Sequence, residues 1–267
     1  MTPEDPVTAR WTALRLDLLA LLWPSSCVAC GAPDRVCCAP CLAEISGPAV
    51  VRAEPRIRRL PSDRAGLVLY AAGPYGGALR AVLVAYKHAG RSGLAKPLGA
   101  RLGPALRTAI AAAPAPPLVV AVPSRPARVR ERGFRHLEPV VHAALRHRPL
   151  PAGAGLALRA LRTTRGRRSQ VGLDRAARRG NAERITVRRS LAGRVRGRAV
   201  VLVDDVCTTG ATLSAAAEAL ERAGARAVSA VSICVVEENP EPGGSGARES
   251  GRVPERRNGA PGRRPPA

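Results

Sequence analysis

The stretch that most limits what this chain can fold into is Val200-Val201-Leu202-Val203-Asp204-Asp205-Val206-Cys207-Thr208-Thr209-Gly210-Ala211-Thr212. Four aliphatic residues in a row read as a strand buried on both faces, the kind found in parallel sheets. The strand delivers two carboxylates to its C-terminal end. A turn rich in Thr and Gly follows, and the apolar spacing from Thr209 to Arg222 predicts a helix that Gly224 closes. Open α/β sheets bind ligands at this end of their strands. The first N–H groups of a helix have no acceptor within the helix, and with its dipole they attract an anion. Gly210 lets backbone come close to a phosphate, and the hydroxyls of Thr208, Thr209 and Thr212 add donors. Two carboxylates repel that same phosphate, so they call for a neutral polyol or a metal beside it. A sugar with vicinal hydroxyls next to its phosphate supplies the polyol. A Thr-capped helix after a strand is the blander alternative, but capping alone does not ask for two acids and Thr-Thr-Gly-x-Thr. No Gly-Lys-Ser/Thr is present here, which excludes a Walker loop.

The surrounding pattern supports an α/β domain over 66–238. Strands are predicted at Gly66–Ala72, Leu118–Val122, Ala199–Asp205 and Arg226–Val236. Helices are predicted at Gly76–His88, with Leu79, Val82, Leu83 and Tyr86 on one side, at Leu94–Ala113 and at Phe134–His147. Strand, helix, strand in this order implies parallel crossovers. Residues 159–181 hold eight arginines and one acid, Asp174, with little apolar pattern. Residues 48–65 read as an Arg- and Pro-rich linker. Residues 239–267 carry a single branched apolar residue, Val253, and read as a disordered tail.

Ahead of this domain, residues 8–47 combine a short amphipathic helix with a cysteine-dense module. Trp11, Leu14, Leu18 and Leu21 share one helical face, and Pro24 ends that helix. Cys27-Val-Ala-Cys30 and Cys38-Ala-Pro-Cys41 are two Cys-x-x-Cys knuckles, which can set four thiolates around one structural Zn²⁺. Gly31 suits the turn after the first pair. So short a segment has no core of its own, and metal would supply its folding energy. Cys37 is an extra sulfur left out of the set; redox or disulfide chemistry is the competing reading for the cluster. Cys207 and Cys234 read as small core or loop residues.

The chain carries 43 basic and 20 acidic residues, a net charge of +23, and its only lysines are Lys87 and Lys96. Two explanations stay open: arginine drift of a GC-rich coding sequence, and an electropositive surface for phosphates or nucleic acid. The six aromatic residues are too few for a surface that reads single strands by base stacking. The longest apolar run, Leu14–Trp23, is interrupted by Arg15 and Asp17 and is far short of a membrane span. It also lacks the charged start and cleavage site of a signal peptide. A cytoplasmic, reducing location is expected, without a membrane partner, and there cysteines serve more often as ligands than as disulfides.

The loop at 204–212 resembles the PRPP-binding motif of type I phosphoribosyltransferases. Together with the four-cysteine knuckle it resembles the ComF family, which is linked to competence and DNA uptake. Further matches are Tyr86-Lys87-His88-Ala89-Gly90, Val120-Ala121-Val122-Pro123-Ser124-Arg125, Arg132-Gly133-Phe134, and the spacing of Gln170, Leu173, Arg178 and Asn181. His88 stands where the family has Tyr, Arg125 replaces a second Pro, and Arg135-His136 replace Asn-Gln. The resemblance implies a type I phosphoribosyltransferase fold that transfers phosphoribosyl from PRPP to an acceptor, with Mg²⁺ assisting and pyrophosphate leaving. It implies that Thr208 to Thr212, with Cys207 and Ala211 in the same loop, hold the 5′-phosphate. Asp204 and Asp205 then hold the ribose hydroxyls or support the metal, and Pro123, Ser124 and Arg125 meet pyrophosphate. The Arg-rich 159–181 segment takes the place of a loop closing over the site. Lys87 and His88 enter as proton-transfer candidates only through the family segment, and His136, His142 and His147 earn no such role. A second reading is a non-enzymatic PRPP-sensing adapter that binds DNA or a helicase partner in DNA uptake or recombination. Transferases of this fold often pair, so a homodimer belongs to the expectation.

Overall fold

The computed structural model describes residues 26–33, 35–48, 50, 54–60, 66–88, 91–164 and 184–237. The amphipathic helix expected over 8–23, the tail 239–267, and Gln170, Leu173, Arg178 and Asn181 lie outside them. The strands are β1 (Arg56–Leu60), β2 (Leu67–Ala71), β3 (Leu118–Ala121), β4 (Gly155–Leu156), β5 (Leu161–Thr164), β6 (Arg184–Val187), β7 (Ala199–Cys207) and β8 (Ala227–Val235). The helices are α1 (Ala39–Ser46), α2 (Gly77–His88), α3 (Ala95–Ala111), α4 (Pro126–Arg132), α5 (Leu137–Leu145), α6 (Arg189–Val195) and α7 (Ala211–Arg222).

A six-stranded sheet runs in the order β1-β2-β8-β7-β3-β4. All neighbours are parallel except β1, which pairs antiparallel with β2 at the edge. The central strands are apolar because both faces are covered. Val201 and Val203 of β7 point into a layer built from α2, α3 and α5, whereas Val200 and Leu202 point toward α7 and the β5–β6 ribbon. From β7 the chain proceeds to β8 on one side, and from β3 it proceeds to β4 on the other. The order of connection therefore reverses between β7 and β3, which opens a crevice beyond their C-terminal ends.

Three sequence expectations need correction. The stretch read as a linker over 48–65 contains β1, which packs a buried Leu60 while Ile57 stays exposed. An edge strand covered on one side offers no run of apolar residues to recognise. The helix expected over Phe134–His147 is shorter, and a separate helix, α4, precedes it. Pro126 starts α4, and Gly133, with φ +77°, ends it in the left-handed region. Finally, β7 runs on to Cys207, so α7 starts at Ala211 and not at Thr209.

The knuckle is bolted to the α/β layers. Cys27, Cys41 and Ile45 are buried in the same core as α2 and α3. Arg101 of α3 donates through Nη1 to the carbonyls of Ile45 (3.1 Å) and Glu44 (3.3 Å), the last carbonyls of α1. A Cβ on Gly73 would crowd that guanidinium, which would have to shift to make room. Glu44 Oε1 in turn accepts the N–H of Ala78 (3.1 Å) in the first turn of α2.

Candidate functional site

The site lies in the crevice beyond β7 and β3. Pleating sends successive residues of β7 to opposite faces. Asp205 follows Val201 and Val203 toward α2 and α5, and Asp204 follows Val200 and Leu202 toward α7 and the phosphate loop. Asp204, Cys207, Thr208, Gly210, Ala211 and Thr212 line an open depression of about 190 Å³. Gly210 has φ +82° and caps α7. A Cβ there would meet Leu60 Cδ2 at 2.8 Å, so both its dihedral and its packing require glycine. Thr209 Oγ1 accepts the N–H of Ala211 (3.4 Å), while the other first-turn N–H groups have no acceptor inside the helix. Cys207 is buried with its thiol toward Thr208 O, so its contribution to the depression is backbone.

A second open depression, about 260 Å³, is lined by Pro123, Ser124, Arg135 and Glu138, with Leu158 and Leu161 among its apolar walls. Arg125 caps α4 at the exposed end of the same loop. Glu138 holds Arg159 in a two-pronged pair, 2.8 Å on each arm. Those bonds hold the Glu138 carboxyl below its ordinary value. Arg159 and Arg162 are the described arginines of the Arg-rich segment before β5 ends. The rest of it, expected to close over the site, falls outside the described residues.

The two acids are not equivalent. Lys87 Nζ, at the end of α2, is 2.8 Å from Asp205 Oδ2, and His136 Nε2 bonds the same oxygen. Burial alone would raise the Asp205 carboxyl, but the bond from His136 and the charge of Lys87 win and hold it well below the usual carboxylate range. Among the described residues, Asp204 accepts a hydrogen bond from the Asp205 N–H, 2.8 Å from its Oδ1. Burial and the neighbouring Asp205 charge push Asp204 up to about 7.

His136 is the residue that sequence reasoning passed over. It precedes α5 and is buried, with Nδ1 3.0 Å from Arg132 Nη1 and 3.1 Å from Ser124 Oγ. Its main-chain carbonyl accepts the Tyr86 hydroxyl at 2.7 Å. The only sequence signal was the Arg135-His136 departure within the family segment. His142 is spent on the Glu138 carbonyl (2.7 Å), and His88 follows Lys87 without joining the cluster. Cys234 is fully buried and donates to the Asp205 carbonyl, and burial pushes its thiol up to about 12.

The sulfurs of Cys27, Cys30, Cys38 and Cys41 all lie within 4.8 Å of one another, and Cys30 and Cys38 are 3.5 Å apart. Tetrahedral zinc with bonds of about 2.3 Å places its sulfurs about 3.8 Å apart, so the donor set fits a metal ion of this kind. Burial opposes ionisation of Cys27, but the N–H groups of Cys38, Cys30 and Ala29 outweigh it and bring the thiol down to about 6. Cys37 lies outside the set, and burial pushes it up to about 11.

Residues 161–250 match the family model of the phosphoribosyl transferase domain. No curated protein matches the chain. Among solved structures, the chain is similar to glutamine phosphoribosylpyrophosphate (PRPP) amidotransferase from B. subtilis, solved with ADP and GMP. The identity is 21% and the TM-score 0.31, over 55% of this chain and 26% of that one. The chain thus spans about a quarter of that protein's length. Described residues contain no helix long and apolar enough to cross a membrane. The matched region holds the β5–β6 ribbon, β7, α7 and β8, and with its mostly parallel sheet the domain has the phosphoribosyltransferase fold.

Proposed function

We propose that this chain is a PRPP-binding phosphoribosyltransferase of the ComF type, which transfers the phosphoribosyl group to an acceptor and serves DNA uptake. The observation that carries the reading is the loop from Asp204 to Thr212. It places the N-terminus of α7, Thr208 and Thr212 around one depression beside Asp204, whose described hydrogen bond comes from a backbone N–H. A phosphate suits the first part and a ribose diol the second. Thr208 to Thr212 hold the 5′-phosphate. Asp204 accepts from a ribose hydroxyl, and Asp205 stands behind it, its charge balanced by Lys87 and its Oδ2 bonded by His136. Pro123 to Arg125, with Arg135 at the same depression, meet the pyrophosphate.

In the transfer, the bond from C1′ to the pyrophosphate oxygen breaks and its electron pair leaves with pyrophosphate. The acceptor's lone pair forms the new bond to C1′, and the acceptor gives up a proton. The sugar becomes cationic on the way, so fixed carboxylates near the ring and fixed cations near the leaving group favour that state. Mg²⁺, entering with PRPP, would supply charge to the leaving pyrophosphate. The four-cysteine cluster holds zinc as a structural ion, since all four positions are filled by protein. The setting is cytoplasmic and the assembly a homodimer.

The test is calorimetric titration of PRPP with Mg²⁺ into zinc-loaded protein, beside an Asp204→Ala/Asp205→Ala variant. Heat from the wild type alone supports the reading, and pyrophosphate release against candidate acceptors then defines the reaction. Absence of binding by the wild type overturns it together with PRPP sensing, and leaves an adapter that binds DNA or a helicase without PRPP.

A further inference from the structure

We infer that His136 is a positioning residue that ties the pyrophosphate loop to the acid pair, so that filling one subsite tightens the other. The inference rests on the PRPP reading given above. β3 and β7 are paired only up to Ala121 and Val203, and the last bond between them runs from the Val122 N–H to the Val203 carbonyl (2.9 Å). Beyond that point β3 gives way to the loop with Ser124, while β7 runs on through Asp205, paired with β8. His136 bridges them. Its ring reaches Ser124 Oγ through Nδ1 (3.1 Å) and Asp205 Oδ2 through Nε2.

The ring has little freedom. Arg132 can only donate, and its Nη1 lies 3.0 Å from Nδ1, so Nδ1 carries the lone pair. The proton then sits on Nε2 and is donated to the carboxylate. The backbone is pinned as well, because the Tyr86 hydroxyl donates to the His136 carbonyl at 2.7 Å, and Tyr86 is itself buried. Tyr86 adjoins Lys87, whose Nζ closes the same cluster on Asp205 at 2.8 Å. A side chain held at both nitrogens and at its carbonyl acts as a strut. A ligand that fixes Ser124 also fixes the ring and, through it, the carboxylate next to Asp204. By linkage the effect must run equally in the other direction.

Ribose 5-phosphate and pyrophosphate with Mg²⁺ probe the two subsites separately. Each is titrated alone and in the presence of the other into the zinc-loaded full chain, and PRPP is titrated as well. In the wild type each fragment is expected to tighten the other about tenfold, within the usual range of coupling between sites. His136→Leu should keep each single affinity within about threefold, lose the mutual tightening, and bind PRPP about tenfold more weakly. His136→Gln can both donate and accept through its carboxamide, so it should restore most of the coupling, which a merely space-filling role would not require. If His136→Leu does not fold, Ser124→Ala cuts the same link from the other end and must lose the coupling. Coupling that persists in either variant, or unchanged PRPP affinity in His136→Leu, overturns the inference. A wild type that binds PRPP and both fragments without mutual effect also overturns it while sparing the PRPP reading. A wild type that binds none of the three removes both.

Discussion

Asp204→Asn should make the protein more stable and worse at binding its ligand, with a dependence on pH that identifies the cause. Burial and the adjacent Asp205 charge raise the Asp204 carboxyl from its ordinary 3.8 to about 7 in the folded chain. The folded state therefore keeps this proton at pH values where the unfolded chain has lost it. Stability from this group is full below about 4, falls as pH rises, and levels off above about 7. Each tenfold difference in proton affinity is worth about 1.4 kcal/mol, so the cost of ionising Asp204 approaches about 4 kcal/mol at pH 8. The side chain is only partly covered, and water relaxation brings the realistic figure to on the order of 2–4 kcal/mol. Asparagine keeps the oxygen that accepts the Asp205 N–H but has no charge to bury. Urea unfolding at pH 5, 6, 7 and 8, at fixed salt and zinc, gives the difference between variant and wild type. Other titrations largely cancel in that difference. It should grow by roughly 1 kcal/mol for each pH step from 5 to 7. PRPP affinity should fall at the same time, because a carboxamide accepts a ribose hydroxyl less strongly than a carboxylate. A difference that stays flat between pH 5 and 8, or a variant less stable throughout, would falsify the argument.

Three further outcomes are expected. Gly210→Ala meets a left-handed backbone, about 1–2 kcal/mol, and a clash with buried Leu60, about 1–3 kcal/mol, so the melting temperature should drop by roughly 5–15 °C; a drop under 2 °C in calorimetry contradicts the packing described for β1. Metal analysis should find one zinc lost from Cys41→Ser and retained by Cys37→Ser, since only the first belongs to the four clustered sulfurs; retention by both removes the zinc assignment. Arg101→Met strips the bonds to the Glu44 and Ile45 carbonyls, at a cost of about 2–3 kcal/mol, and amide exchange in α1 should quicken ahead of exchange in β7; equal protection of α1 in wild type and variant shows that the guanidinium does not brace the knuckle.

Much of the architecture could be read directly because its signals are local. Val200 to Val203 and Leu118 to Val122 are continuous apolar runs, which only a doubly covered strand needs, and both are central strands of the sheet. The Thr-Thr-Gly-x-Thr turn and the paired Cys-x-x-Cys spacings are likewise local. Each specifies a shape over about fifteen residues or fewer, within which chain direction is fixed by backbone geometry. The edge strand β1 was hidden because four of its five residues are not buried, so its sequence of three arginines resembles a linker.

The sequence by itself determined a parallel α/β sheet, two acids and a Thr-Thr-Gly-x-Thr turn at one strand end, and four closely spaced cysteines before it. Only the tertiary structure decided how the acids are divided. Pleating turns Asp204 and Asp205 to opposite faces, but whether either face holds a cation depends on what packs there. Lys87 reaches Asp205 from the end of a helix, and His136 reaches it from a loop 69 residues away. No periodicity or spacing records such a meeting, because it is fixed by the packing of α2 and α5 on the sheet and by the crossovers that bring their ends to one crevice.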